Sequence, residues 1–301
     1  MPLLGPAAAP LAGAAPPLAA SVDASWSWAP GPILLCLVLL LAYVTRWRHV
    51  RRGRATRGGE GAHGAPLERL LAFVAGVLVI AVALISPIDR LAEQVFAMHM
   101  VQHVLLLDIA PILLILGLTR VILRPVARQV LDLERALGPL AHPITAVVLY
   151  VAGMYFWHIP ALYDLALEHS GVHVLEHIVF LSIGLLYWWH LLSPVRSRSM
   201  SGLVPVAYMA STKVFVGMLG ILLTFAPHAL YDFYKSRPEV WGLSPTEDQA
   251  AAGAIMAIEQ SIVMGIALAA LFVRALAESE REEQRAERYA DQAERHGAPA
   301  P

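Results

Sequence analysis

The sequence has very little cysteine and little charge. Its single cysteine, Cys36, excludes an intrachain disulfide and any CxxC motif. Charged residues make up 15% of the 301 residues, whereas soluble domains carry about a quarter. With 57% hydrophobic residues and a mean hydropathy of +0.60, the chain is predicted to be an integral membrane protein embedded in a lipid bilayer.

Several functional signatures are also missing from the sequence. The net charge is −1 and the basic residues do not pool into one patch, so no nucleic-acid partner is predicted. We find no repeat with a period of about 20–50 residues, which excludes a repeat array. There is no nucleophile–base set, phosphate-binding loop or redox motif, and the chain is therefore predicted not to be an enzyme.

Long apolar stretches dominate what is present. A helix needs about 20 mostly apolar residues to cross roughly 30 Å of hydrocarbon. The predicted fold class is therefore all-α, a polytopic membrane protein with seven transmembrane helices. The stretches that predict them cover residues 31–47, 67–86, 95–117, 143–160, 172–193, 202–226 and 250–274.

Basic residues alternate between the loops. They are abundant after the first, third and fifth stretches and scarce after the second and fourth. The positive-inside rule then places the N-terminus outside and the C-terminus in the cytoplasm. The arginines that decide this are Arg46, Arg48, Arg51, Arg52, Arg54, Arg57, Arg120, Arg124, Arg128, Arg135, Arg196 and Arg198.

The pattern divides the chain into three parts. Residues 1–30 form an extracytoplasmic arm rich in Ala and Pro, with Trp26 and Trp28 as an interfacial anchor before the first helix. Residues 31–275 form the seven-helix membrane domain, and residues 276–301 form a charged cytoplasmic tail.

Seven of the twelve histidines fall at the predicted outer end of this domain. Those on the third and fifth helices come in pairs spaced by four residues, which places each pair on one helix face. Each histidine alone also suits a wet helix end, but polar groups in a bilayer are costly and usually functional. We predict a metal site of His99, His103, His158, His173 and His177, with Met98, Met154, His169 and His228 as additional candidate ligands.

The neighbours of these histidines bear on the metal. Imidazole suits Zn, Cu, Fe and Ni, and the thioethers of Met98, Met100, Met154 and Met256 favour Cu(I). Any one of these methionines has an ordinary packing role as its alternative. Glu176 and Asp248 are predicted to hold imidazole tautomers. Paired histidines could equally be axial ligands of haem in a membrane cytochrome.

Three charges are predicted deep in the bilayer, where inserting Asp or Lys costs about 2.5–3.5 kcal/mol. They are Asp108, Lys213 and Glu259. We predict that Lys213 forms an ion pair with one of the two acids. The alternative is a polar route across the membrane, as in a copper or ion transporter.

Five separated motifs resemble the polytopic CtaG-like cytochrome c oxidase assembly family over about residues 67–275. The chain departs from the family pattern at Asp108-Ile109-Ala110-Pro111-Ile112, where an apolar residue and a second proline are more usual, and at Glu259. The motifs are Met98-His99-Met100-Val101-Gln102-His103 with Ala110-Pro111, Trp157-His158-Ile159-Pro160 with Tyr163, His173-Val174-Leu175-Glu176-His177 with Tyr187-Trp188-Trp189, Leu223-Thr224-Phe225-Ala226 with Tyr231 and Tyr234, and Asp248-Gln249 with Gly253-Ala254-Ile255-Met256.

The resemblance implies a role that the residues alone do not. It implies assembly of a haem–copper cytochrome c oxidase in the bacterial cytoplasmic membrane, through supply or insertion of copper. The implied partners are the catalytic subunits of the oxidase and a soluble copper donor.

Overall fold

The computed structural model describes residues 22–55, 65–195, 200 and 202–295. Apart from an isolated bridge between Val240 and Leu243, every regular element in these ranges is helical. The α-helices are α1 (Pro30–Ala55), α2 (Leu67–Leu84), α3 (Pro87–Ala92), α4 (Phe96–Val104), α5 (Ala110–Gly117), α6 (Arg120–Leu123), α7 (Ala127–Leu137), α8 (Pro143–Trp157), α9 (Pro160–Glu168), α10 (Ser170–Leu192), α11 (Val204–Thr224), α12 (Asp232–Lys235) and α13 (Pro245–Arg295).

The helices support a multi-pass membrane protein with five or six spans. Within the described ranges, five segments are long and apolar enough to cross a bilayer: most of α1, then α2, Phe96–Gly117, α10 and α11. A sixth span results if Ala127–Ala141 and α8, which meet at a bend of 65°, count as one. The predicted seventh stretch, 250–274, lies inside α13 and does not belong to this set, so the seven-span topology stays a prediction.

A π-helical turn joins α4 to α5 at Leu105–Ile109. Its cause lies in Pro111, which has no backbone N–H to donate and whose ring displaces the carbonyl four residues earlier, that of Leu107. Gly184 of α10 packs directly against this carbonyl, where a side chain would overlap it. The wider turn and the close approach of α10 together bury Asp108 between the two helices.

Aromatic donors satisfy the Asp108 carboxylate. The Tyr150 hydroxyl donates to both carboxylate oxygens at 2.8 Å, and Trp188 Nε1 donates to Oδ1 at 2.8 Å. No ion pair joins Lys213 to Asp108 or Glu259 within the described ranges; Lys213 is half-buried, with its Nζ near Gly265. The predicted ion pair is therefore wrong: Tyr150 and Trp188 donate to Asp108, and Gln260 donates to Glu259.

The two ends of the helix bundle differ in charge. At one end, which we call the arginine end, Arg46 donates to the carbonyls of Val121 and Ile122 at 3.0 and 3.1 Å, and Arg120 Nε donates to the Pro194 carbonyl at 2.8 Å. Arg57, Arg196 and Arg198 lie outside the described residues.

At the opposite end, the described part of the arm packs onto the protein. Ser27 N–H donates to the Ile85 carbonyl at 2.9 Å. The residues before and after it in the sequence, Trp26 and Trp28, are exposed. This end also holds the start of α4 and its histidines, so we call it the histidine end. Residues 1–21 and 296–301 lie outside the described ranges; residues 276–295 of the predicted tail continue α13 as a helix.

Candidate metal centre

Helices α4 and α10 bring four histidines together at the histidine end. His99 and His103 lie on successive turns of α4, both buried, with their Nε2 atoms 2.7 Å apart. His173 and His177 lie on successive turns of α10, with ring centroids 4.3 Å apart. The His99 ring lies 5.2 Å from His173 and 6.4 Å from His177, centroid to centroid, so the two pairs form one cluster.

The ligand atoms of this cluster fall into two overlapping groups. One contains His99, His173 and His177; the other contains His99, His103 and Glu176. Within each group the ligand atoms lie within 4.8 Å of one another. Because His99 belongs to both groups, the candidate ligands surround one place in which a metal ion could be held.

Glu176 has a different place from the one predicted for it. Its oxygens lie 3.6 Å from His103 Nε2 and 3.8 Å from His99 Nε2, and they receive no hydrogen bond from any described residue. The carboxylate therefore lies among the candidate ligands instead of behind an imidazole to hold its tautomer. It is fully buried, so a positive ion beside it would offset the cost of burying its charge.

Tyr234 sets the tautomer of His99. Burial raises the pKa of this phenol well above its usual range, so it keeps its proton. The hydroxyl donates to the Ala92 carbonyl at 2.7 Å and lies 3.2 Å from His99 Nδ1. Nδ1 must then carry the hydrogen between them, so the Nε2 lone pair of a neutral His99 accepts from His103 Nε2–H and becomes available to a metal when that proton leaves. Sequence reasoning missed this role, although Tyr234 stands in a quoted motif.

His158 lies at the edge of the cluster. Its ring centroid is 6.5 Å from that of His103, and it belongs to neither ligand group. Its Nδ1 lies 2.7 Å from the Met154 carbonyl, to which it donates, so the lone pair is on Nε2, which has no hydrogen-bond partner in the described ranges. His158 Nε2 therefore has a lone pair for a metal, but it can bind an ion in the cluster only if the ion or the His158 side chain moves toward the other.

Asp248 holds the α4 backbone and makes no bond to an imidazole in the described part of the chain. Its two oxygens accept from the backbone N–H groups of Phe96 and Ala97 at 2.7 and 2.9 Å. These groups begin α4 and would otherwise lack partners. Asp248 therefore ties the start of α13 to the histidine helix, and the predicted role as a tautomer partner is wrong.

The remaining predicted ligands divide by burial. His169 and His228 are exposed and do not join the cluster, and Met98 is half-buried against the core. Met154 is buried and lines a small cavity that His103 also lines. Of the additional candidates, the structure therefore brings only Met154 next to a histidine of the cluster.

The chain is similar to several mycobacterial proteins. It is 25% identical over 277 residues to an uncharacterized protein of Mycobacterium leprae. It is 27% identical over 271 residues to uncharacterized proteins of Mycobacterium bovis and Mycobacterium tuberculosis. Each match covers 85% of this chain, and the chain spans about 40% of the length of these relatives.

No solved structure matches the chain significantly. Residues 41–278 match the sequence profile of a family described as cytochrome c oxidase caa3 assembly factor (Caa3_CtaG).

Proposed function

Because the chain belongs to the family of cytochrome c oxidase caa3 assembly factors, we propose that it binds copper at the histidine cluster and assists its insertion into a haem–copper oxidase. The catalytic subunits of that oxidase are the proposed recipients, and a soluble copper donor is the proposed source. The role requires binding and release of an ion but no chemical turnover.

The convergence of α4 and α10 carries this proposal. Four imidazoles and one carboxylate from two helices meet in a buried place where hydrocarbon side chains would cost less. The Nε2 atoms of His173 and His177 and both oxygens of Glu176 have no hydrogen-bond partner among the described residues. Buried polar atoms left without partners need an explanation, and a cation bound by the carboxylate and by neutral imidazoles with their lone pairs on Nε2 supplies one.

The charge of the cluster favours a monovalent ion. Neutral imidazoles contribute no charge, and Glu176 contributes one negative charge when ionised. A Cu(I) ion makes this set neutral, whereas a divalent ion leaves a net positive charge in a buried place, which is costly. The sequence prediction of Cu(I) from the thioethers nearby points the same way.

The packing of the rings disfavours haem. An axial ligand must leave room for the porphyrin plane beside it, yet the ring centroids of His99 and His103 lie only 4.2 Å apart and those of His173 and His177 only 4.3 Å apart. The His103 ring also packs on Phe180, 4.5 Å away between centroids. A porphyrin bound by these histidines would have to displace the packed rings and separate α4 from α10, whereas a single ion would not.

Metal analysis of the purified protein, with an absorption spectrum of the same sample, tests this function. We expect copper to copurify or to load anaerobically as Cu(I), and no Soret band to appear. A Soret band with bound iron would establish the cytochrome alternative. Copper uptake into vesicles that contain the protein would instead establish a transporter.

We also propose that the histidine end faces away from the cytoplasm. The arginine contacts at the opposite end support this orientation, since basic residues near membrane spans are retained inside. Reporter fusions after Gly58 and after Ser170 are expected to report opposite sides, with Gly58 cytoplasmic. If both fusions report the same side, the orientation and the extracytoplasmic placement of the cluster are wrong.

A further inference from the structure

A small cavity lies next to the histidine cluster, toward the middle of the membrane. Its volume is about 10 Å³, enough for one small guest such as a water molecule or an ion. Three methionines line it, each from a different helix: Met100 from α4, Met154 from α8 and Met256 from α13. All three are buried, with exposed fractions of 0, 4 and 3%.

Polar side chains complete the lining. His103 closes the cavity on the side of the histidine cluster, and Asp108 and Glu259 line it farther along. His103 Nδ1 and Glu259 Oε1 are buried and have no hydrogen-bond partner within the described ranges. Among the described residues, Glu259 is anchored by Gln260, whose Nε2 donates to Oε2 at 2.9 Å.

Ordinary core packing explains the methionines one at a time, because thioethers fill irregular gaps well. It does not explain why their shared gap is bordered by polar atoms without partners. The Glu259 oxygen is an acceptor when ionised, and His103 Nδ1 is an acceptor while Nε2 carries the proton toward His99; once copper binds Nε2, Nδ1 carries the proton and the thioethers and Glu259 hold the second ion. Acceptors facing a gap are satisfied by a cation, and three thioethers select a soft one.

We propose that this cavity is a second Cu(I) site, formed by the thioethers of Met100, Met154 and Met256. The carboxylate of Glu259, whose Oε1 has no partner among the described residues, supplies the negative charge that a cation needs in a low-dielectric interior. His103 borders both sites, with Nε2 toward the histidine cluster and the unpartnered Nδ1 on its other side. The inference rests on the proposed function only for the choice of copper as the ion.

Anaerobic titration of the purified full chain with Cu(I), followed by copper X-ray absorption, tests this site. The wild-type protein is expected to bind a copper ion in each site and to show both sulfur and nitrogen or oxygen neighbours. In the variant with Met100→Leu, Met154→Leu and Met256→Leu, we expect the sulfur signal to disappear with one equivalent of copper. Leucine replaces methionine at nearly constant volume, which preserves the packing.

Matched variants control for folding and for nonspecific sulfur binding. Met209→Leu changes a buried methionine outside the cavity lining, and Met218→Leu changes an exposed one; both are expected to keep the full sulfur signal. If the triple variant does not fold, Met154→Leu alone takes its place and is expected to weaken the sulfur signal. Unchanged copper content and unchanged sulfur signal in the folded cavity variants would overturn the proposal.

The variant with His173→Ala and His177→Ala, neither of which lines the cavity, separates this proposal from the proposed function. If the histidine cluster binds no copper but the thioether site does, this variant keeps the sulfur signal and its copper content equals that of the wild type. If only the histidine cluster binds copper, the wild-type protein shows no sulfur neighbours. The first result rejects the proposed function alone, and the second rejects the thioether site alone.

Discussion

A strain that produces His99→Ala or His177→Ala in place of the wild-type chain is expected to lose most of its caa3-type oxidase activity, by at least about tenfold. The reason is that each substitution removes a proposed ligand from the cluster, and even residues behind a metal ligand change affinity or activity about 10–100-fold. Activity in membranes, copper content of the oxidase and the transcripts of its subunits are the quantities to measure. We expect the transcripts to persist while activity and copper fall.

His228→Ala is the matched control for this prediction, because His228 is exposed at the same end and lies outside the cluster. It is expected to leave oxidase activity unchanged. Added copper then distinguishes two modes of action: rescue indicates that the protein raises the local supply, and no rescue indicates that it holds an apo-subunit ready for insertion. Normal oxidase activity in a deletion strain without a paralogue, grown at limiting copper, would contradict the assembly role.

Asp108→Ala is expected to produce the largest loss of stability of any single substitution considered. It leaves the Tyr150 hydroxyl and Trp188 Nε1 buried without an acceptor, and each unsatisfied donor costs about 1–3 kcal/mol. Asp108→Asn is expected to be milder, since both donors already meet at Oδ1 and an amide oxygen can replace it. Thermal unfolding in detergent measures the difference.

Lys213→Met is the control for the buried acid. Lys213 has no ion pair with Asp108 or Glu259 within the described ranges, so its substitution is expected to leave the unfolding temperature nearly unchanged. Were Lys213→Met as destabilising as Asp108→Ala, the two side chains would have to interact, and the aromatic account of Asp108 would be wrong.

The sequence was sufficient to predict which histidines share a helix face. Spacing of four residues places His99 above His103, and His173 above His177, whatever the surroundings. That the two pairs face each other depends on how α4 and α10 pack. The approach of Gly184 to Leu107 determines this packing, and a hydropathy pattern does not contain it.

The predictions about charges were less accurate, for a physical reason. Depth along a helix can be estimated from sequence, and it placed Lys213 and Asp108 at similar levels. Rotation about the helix axis is harder to estimate, more so here because a π turn at Leu105–Ile109 shifts the register. Tyr150 and Trp188 each carry a donor that a buried acid can use, and nothing in the sequence assigned either of them to Asp108.

Asp248 shows a similar limit. It lies near the predicted outer end of the last helix, so a role beside the histidines was a reasonable expectation. A carboxylate can equally accept from the backbone N–H groups at the start of a helix. The start of α4 has two such groups, those of Phe96 and Ala97. Which partner it takes is decided by the contact between α13 and α4, a long-range feature of the fold.

The most direct test of the central claim is the Cu(I) affinity of the histidine cluster. A competition titration against a chromophoric Cu(I) chelator would compare the wild-type protein, the His103→Ala/His177→Ala variant and a His169→Ala/His228→Ala control. The cluster variant is expected to lose a tight copper equivalent or to bind it about 100-fold more weakly, while the control keeps wild-type binding. Equal copper content and affinity in all three proteins would show that these histidines do not hold the metal.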